Sequence, residues 1–267
     1  MKNFSNLDYL SHKGFTLIEL VTVMVLLGIL SVGISSFLGI TSQIFIDTAQ
    51  RDQLVASGRF SVERLNRELR AALPNSIQVT SQGSCLEFTP IVISTNYTDI
   101  PVKPEAAYDE ITVIKFIDDS RFTDELRVAV YPLNPLDVYD GSKNKVFALA
   151  TQTLNTSGNE WTIKLDGGTQ HFATDSPTER IYFISNKVSY CLNSAGELSR
   201  TEDGGDTVLM AKHIINYPPP LQDPENPPFQ VKSATQYRNA MVEVRFIFSR
   251  NDEFVTFNNE IQVANVP

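Results

Sequence analysis

One carboxylate, that of Glu19, lies inside the most apolar part of the chain, residues 13–39. A carboxylate in lipid or in a dry protein interior costs free energy unless a positive charge pairs with it. The apolar stretch offers no such charge, because residues 20–40 include no ionised side chain. The chemistry expected here is therefore an ion pair with a cation from elsewhere. The basic residue and glycine directly before the stretch, Lys13 and Gly14, also need an explanation.

The chain has two cysteines, Cys85 and Cys191, and both lie outside the apolar stretch. In an oxidising compartment such a pair can form a disulfide, which on the chain-entropy model is worth about 4.7 kcal/mol for a loop of ~100 residues. In a reducing compartment they would be two unrelated buried thiols. We expect the disulfide if this part of the chain is exported.

No set of residues follows the pattern of a known catalytic site. The three histidines, His12, His171 and His213, have no second histidine or cysteine at metal-ligand spacing, and we interpret His171 and His213 as ordinary strand residues. The chain has no G-x-S-x-G, H-E-x-x-H, phosphate-loop or dinucleotide-binding motif. The sequence therefore predicts neither an enzyme nor a cofactor.

Two acidic turns contain oxygen ligands of the kind that calcium prefers. One has Asp137, Asp140 and Asn144, and the other has Asp203 and Asp206. Neither follows a calcium-loop template, so we expect solvated turns and predict no metal. The whole chain has a formal net charge of −9 and no stripe of lysine and arginine, which argues against binding nucleic acid.

The apolar stretch that holds Glu19 is long enough to cross a membrane. As a helix, residues 20–40 would span about 31 Å at roughly 1.5 Å per residue. A cleaved secretory signal has a shorter apolar core and a small-x-small cleavage site, and a lipoprotein signal has a cysteine; neither pattern is present. A plain single-pass anchor, with Lys2 and Lys13 on the cytoplasmic side, explains the length but not Gly14 or Glu19.

The segment GFTLIEL, which begins at Gly14, follows a basic residue and precedes the membrane-length run. It resembles the class III signal of the type IV pilin family. The resemblance implies that prepilin peptidase cuts between Gly14 and Phe15 and methylates Phe15. Residues 1–14 would be a leader peptide, and residues 15–40 a helix that anchors the subunit in the membrane and later packs in the filament core.

Glu19 gains a partner in this interpretation. It is the fifth residue after the expected cut, about 6 Å along the helix from the new terminus. Its carboxylate would meet the ammonium of a neighbouring subunit's Phe15 when the subunit leaves the bilayer, and the pair would set the axial register of adjacent helices. While the subunit waits in the membrane, the carboxylate would reach to the headgroups.

An amphipathic helix is predicted to continue over residues 41–74 and to stop at Pro74, giving one helix over about residues 15–73. Its apolar stripe is expected to comprise Leu54, Val62, Leu65, Leu69 and Leu73, widened by Phe60 and Ala72. We expect a solvated, charged opposite face with Arg51, Asp52, Arg59, Glu63, Arg64, Arg67, Glu68 and Arg70. This is the spine that the family resemblance implies.

Beyond Pro74 the apolar pattern changes to a period of two, which predicts a β-rich head over residues 75–267 and an α+β, type IV pilin fold. We expect hairpins around residues 193–196 and 250–253, and an exposed loop over the proline-rich residues 217–229, which would be a stiff connection or a docking edge. The candidate strands are Ile77–Thr80, Leu86–Ser94, Ile111–Ile117, Leu126–Tyr131, Val146–Thr151, Trp161–Leu165, Arg180–Ser185, Lys187–Leu192, Val208–Ala211, Met241–Ser249 and Phe254–Val263.

Residues 60–79, the two cysteines and the terminal QVANVP resemble minor pilins of the mannose-sensitive haemagglutinin pilus. The resemblance implies a subunit that primes or caps assembly at the filament tip. Its partners would be prepilin peptidase, other minor and major pilins, and the inner-membrane assembly platform. Its head would be periplasmic, with one membrane span. Two alternatives stay open, a J-type minor pseudopilin of a type II secretion system and a tip adhesin.

Overall fold

The computed structural model describes residues 14–118, 120–150, 155–216, 227–232, 240–251 and 253–263 of the chain. One long helix, α1 (Leu17–Arg70), precedes a part built mainly of β-strands. This is the α+β arrangement predicted from the sequence. The chain forms two compact units, residues 1–52 and residues 53–267, and α1 contributes to both.

The part of α1 in the second unit packs on the strands through the predicted apolar stripe. Leu54, Leu65 and Leu69 are buried, together with Gly58 and Ser61. The prediction that Phe60 widens the stripe is wrong, because its side chain is 53% exposed. At about 100° per residue, Phe60 lies on nearly the opposite side of the helix from Leu65.

The helix ends at Arg70, three residues before the predicted end. Pro74 has no N–H and disfavours helical geometry at the residue before it. Leu73 instead donates its N–H to the Thr89 carbonyl oxygen at 2.8 Å. The chain therefore leaves the helix by pairing with the first strands of the head.

The first sheet, here called the body sheet, is antiparallel with the order β1-β2-β10-β11-β12. Its strands are β1 (Gln78–Thr80), β2 (Cys85–Phe88), β10 (Val188–Leu192), β11 (Leu198–Glu202) and β12 (Thr207–Ala211). A second sheet at the C-terminus has the order β13-β14-β15, with β13 (Phe229–Lys232), β14 (Ala240–Arg250) and β15 (Glu253–Val263). Apolar residues of both sheets and of α1 form one core.

The remaining strands form a seven-stranded sheet with the order β6-β5-β9-β3-β4-β8-β7. They are β3 (Ile91–Asp99), β4 (Glu110–Ile114), β5 (Arg127–Val130), β6 (Val146–Ala148), β7 (Asn155–Ser157), β8 (Glu160–Lys164) and β9 (Arg180–Ile184), with a short helix α2 (Pro135–Tyr139) between β5 and β6. This sheet has its own core, which contains Trp161 and Phe183. Residues 89–187, which include the sheet, are called the lobe below.

The lobe leaves and rejoins the body sheet at neighbouring positions. Phe88, the last residue of β2, pairs with Val188, the first residue of β10. Cys85 and Cys191 face each other on the same two strands, with Cα atoms 4.1 Å apart, and are joined in a disulfide. The covalent bond therefore closes the base of the lobe.

The prediction of one strand over residues 86–94 is wrong. The segment divides into β2, in the body sheet, and β3, in the lobe. Thr89 and Pro90 separate the two, and proline cannot donate a ladder hydrogen bond. Phe229, expected in a loop, is buried and begins β13, whereas residues 217–226 of that expected loop lie outside the described residues.

The close packing of α1 on β15 at Gly58 gives a first prediction. A side chain at Gly58 would overlap the Phe257 ring, whose Cζ and Cδ2 lie 2.7 and 2.8 Å from the position of a Cβ atom. We expect Gly58→Leu to lower the free energy of unfolding by about 1–3 kcal/mol, because overpacking forces neighbours to shift. Urea unfolding in detergent checks this. Ala56→Leu, at an exposed site on the same helix, is the matched control, and equal midpoints would contradict the prediction.

Candidate processing and assembly site

The structure places Gly14 and Phe15 just before α1, outside the helix, whose first residue is Leu17. Gly14 has open space around it, since a Cβ atom built there would meet nothing within 4 Å. Phe15 is 76% exposed. Lys2, His12 and Lys13 lie outside the described residues. The peptide bond after Gly14 is thus in a form that a peptidase can reach.

Thr16 and Glu19 define the start of the helix. The Thr16 hydroxyl oxygen accepts a hydrogen bond from the Glu19 backbone N–H at 3.3 Å, which is one half of a capping box. A carboxylate in the first turn also interacts favourably with the helix dipole. Thr16 was not among the predicted site residues, although the pattern T-x-x-E over residues 16–19 is a known helix-start signal.

The N-terminal part of α1 has an apolar, exposed surface. This apolar stretch is long enough to span a membrane, and none of it is buried in the protein. The hydroxyls of Thr22, Ser31 and Thr41 donate to helix carbonyl oxygens one turn earlier, at 2.7–3.0 Å. Their polar atoms therefore need no water, which suits a helix in lipid. These features are consistent with a single membrane anchor.

Glu19 is exposed on this apolar surface. Among the described residues, no basic side chain lies within ion-pair distance of its carboxylate. The structure thus brings Gly14, Phe15 and Glu19 together at the beginning of the helix. It places the disulfide between Cys85 and Cys191 elsewhere, at the base of the lobe.

One of the acidic turns considered for calcium uses its carboxylates as turn caps. Asp137 accepts from the Leu133 N–H at 2.8 Å, and Asp140 accepts from the Ser142 N–H at 3.0 Å. The hydrogen bonds from Ser142 hold the pKa of Asp140 below its usual value. Within the described ranges, no three His, Cys, Asp or Glu residues are grouped to hold a metal ion.

The interpretation of His171 and His213 as strand residues is wrong. Both lie in loops between strands, and His213 has a positive φ of 67°. The end of β12 at Ala211 leaves His213 beyond the strand, and His171 lies between two isolated bridge residues, Gln170 and Phe172.

A link between α1 and the body sheet was not predicted from the sequence. Glu68, expected on a solvated face, accepts a hydrogen bond from Arg200 Nε at 3.0 Å and another from Arg64 Nε at 3.0 Å. The side chains of Glu68 and Arg200 are only 18% and 16% exposed. Glu68 and Arg200 are 132 positions apart, so no local sequence pattern predicts their contact.

Comparison with known proteins bears on the N-terminus. Residues 10–35 match the family model described as the prokaryotic N-terminal methylation motif. No curated protein and no solved structure matches the chain. The matched segment contains Gly14, Phe15 and Glu19 and the first half of the exposed apolar surface. The chain therefore carries a type IV prepilin-like class III signal, which supports a type IV pilin-like or pseudopilin-like protein.

Proposed function

We propose that the chain is a minor type IV pilin, processed by prepilin peptidase, that primes or caps pilus assembly. The observation that carries the proposal is the methylation motif over residues 10–35, which includes Glu19 and the first half of an exposed apolar helix surface. Residues 1–14 are the leader in this scheme, residues 15–40 the membrane and filament-core helix, residues 41–74 its amphipathic continuation, and residues 75–267 the periplasmic head.

Cleavage after Gly14 would create a positive charge at Phe15, next to the start of α1. An ammonium at a helix N-terminus is opposed by the helix dipole, and in lipid it is opposed by desolvation as well. The Glu19 carboxylate of a neighbouring subunit would be a partner for this ammonium, and the carboxylate would gain a partner in turn. Pairing of Phe15 with Glu19 would therefore hold adjacent helices at one axial register as the subunit leaves the bilayer.

A minor rather than a major subunit is favoured by the size of the head. The lobe adds a complete sheet and a separate core to the part that packs on α1. A large head is easiest to place at a tip, where no further subunit stacks above it. By resemblance we assign the protein to a pilus of the mannose-sensitive haemagglutinin type. The other pilins and the inner-membrane assembly platform are its partners in this proposal.

The same processing and anchor would serve a J-type minor pseudopilin of a type II secretion system. The genes that flank the gene of this protein would distinguish a minor pilin from a pseudopilin. A minor pilin predicts neighbouring pilus genes, and a pseudopilin predicts neighbouring secretin and secretion genes. A tip adhesin would differ in its head, which would bind cells or glycans when isolated from other pilins.

Replacing Gly14 tests the proposal at its first step. We expect Gly14→Val to retain residues 1–14 when it is co-expressed with prepilin peptidase, because the branched side chain adjoins the bond that is cut. Intact-mass measurement should show the unprocessed chain for the variant. The parent chain should begin at Phe15 and carry one added methyl group. Gly33→Val, at another glycine with open surroundings, is the control and should be processed normally. A parent chain that keeps its leader would contradict the proposed function.

A further inference from the structure

The hydrogen bonds at the start of α1 leave the expected cleavage bond outside the helix. Thr16 is the N-cap residue, because its carbonyl oxygen accepts a hydrogen bond from the Leu20 N–H at 3.2 Å. Its hydroxyl oxygen accepts another, from the Glu19 N–H at 3.3 Å. The bond between Gly14 and Phe15 therefore lies before the cap.

The two carbonyl oxygens before Thr16 accept no hydrogen bond from the described part of the chain, neither that of Gly14 nor that of Phe15. A helix that began one turn earlier would change this, because each helical N–H bonds to the carbonyl oxygen four residues before it. The Ile18 N–H would then bond to the Gly14 carbonyl oxygen, which belongs to the bond that is cut. The Glu19 N–H would bond to the Phe15 carbonyl oxygen.

The Thr16 hydroxyl and the Phe15 carbonyl are thus alternative acceptors for one donor, the Glu19 N–H. At the edge of a membrane a backbone N–H without a partner is costly, because little water is present to replace the missing acceptor. Loss of the hydroxyl would therefore favour the longer helix over a frayed one. In the longer helix the bond after Gly14 lies inside the first turn.

The state of the Gly14 carbonyl matters for the reaction. Peptide hydrolysis places negative charge on the carbonyl oxygen of the bond that is cut, and the enzyme must supply partners for that charge. A carbonyl oxygen that is already bonded within a helix has to lose that bond first. The free carbonyl of Gly14 is ready for the enzyme without this step.

We propose that Thr16 is a positioning residue for cleavage, whose hydroxyl oxygen keeps the bond between Gly14 and Phe15 outside α1. The inference rests on the proposed processing by prepilin peptidase and deepens it. It assigns the role to the capping oxygen of Thr16 and not to the shape of the side chain.

Cleavage of the full-length chain by prepilin peptidase in detergent micelles tests this role. Thr16→Val keeps the branched shape and removes the acceptor oxygen. We expect it to lower kcat/KM for removal of residues 1–14 by about fivefold, the change in equilibrium that loss of an N-cap typically produces. Thr16→Ser and Thr16→Asn keep a capping oxygen and should be cut within about twofold of the parent rate. Mass spectrometry of the product that begins at Phe15 measures the rate.

The carbonyl carbon shifts of Gly14 and Phe15 report the start of the helix without the peptidase. In NMR of the uncut chain, Thr16→Val should move these shifts towards helical values, and Thr16→Asn should keep those of the parent. Slow cleavage of Thr16→Val with unchanged carbonyl shifts would overturn the inference, because the peptidase itself would then recognise the hydroxyl.

Thr22→Val is the matched control. It makes the same substitution on the apolar part of α1, at a hydroxyl that donates to the Ile18 and Glu19 carbonyl oxygens at 3.0 Å. This variant should be cut at the parent rate. Equal cleavage of Thr16→Val and the parent would overturn the role of the cap and leave the proposed processing intact. A parent chain that keeps residues 1–14 would contradict both.

Discussion

Replacing Glu19 with valine is expected to leave the head folded and the leader removable, and to reduce incorporation of the protein into filaments by roughly a hundredfold or more. The variant removes one partner of the ion pair proposed between Glu19 and Phe15 of adjacent subunits. Leaving the other charge unpaired in a dry, apolar environment costs about 3–5 kcal/mol, which corresponds to two or more powers of ten in the assembly equilibrium. Immunoblotting of sheared filaments against membrane fractions measures the ratio of assembled to waiting subunits.

Glu63→Val is the matched control for this experiment. Glu63 lies on the same helix, is exposed, and belongs to the second compact unit rather than to the apolar surface. Its loss should leave incorporation unchanged. Normal incorporation of Glu19→Val, with its N-terminus processed as in the parent chain, would show that the carboxylate is not needed for assembly.

Reducing the disulfide should lower the melting temperature of the second unit by roughly 10 °C, as should the double substitution Cys85→Ser and Cys191→Ser. The bond joins residues with a sequence separation of 106, and a loop of about that length is worth up to about 4.7 kcal/mol on the chain-entropy model. For a unit of this size, each kcal/mol shifts the midpoint by about 2–4 °C. Circular dichroism of the full-length chain in detergent, with and without reductant, measures the shift.

The serine variant is its own control for side effects of the reductant. Added reductant should change its melting temperature no further. Equal melting of the oxidised and reduced parent chain would remove the stabilising role of the Cys85–Cys191 bond. Loss of β2–β10 protection in hydrogen exchange should accompany reduction, because the bond connects facing residues of these strands.

Local patterns were sufficient to predict much of the fold. The apolar period of α1, the alternation in β14 and β15, and the turn between β10 and β11 are each contained in a short window of sequence. The turn is fixed by Asn193, whose side-chain oxygen accepts from the Ala195 and Glu197 N–H groups at 2.9 and 3.0 Å. Such features need no knowledge of distant residues.

Features that depend on distant residues could not be predicted in this way. The assignment of β2 and β3 to different sheets follows from their partners, β10 and β9, which are about a hundred positions away in the chain. The half-buried Glu68 looked like a surface acid because Arg200 is far from it in sequence. The signal at Gly14, Phe15 and Glu19 was visible because these residues lie within one segment of six positions.

The pairing of Phe88 with Val188 has a consequence for how such a head can diversify. Both ends of the intervening segment occupy one rung of the ladder, so a two-residue hairpin turn could replace everything between them and keep β2 and β10 paired. A segment attached in this way can be grafted, enlarged or deleted while β2 and β10 keep their neighbouring strands. Variation in the lobe would thereby leave the packing of the body sheet on α1 unchanged.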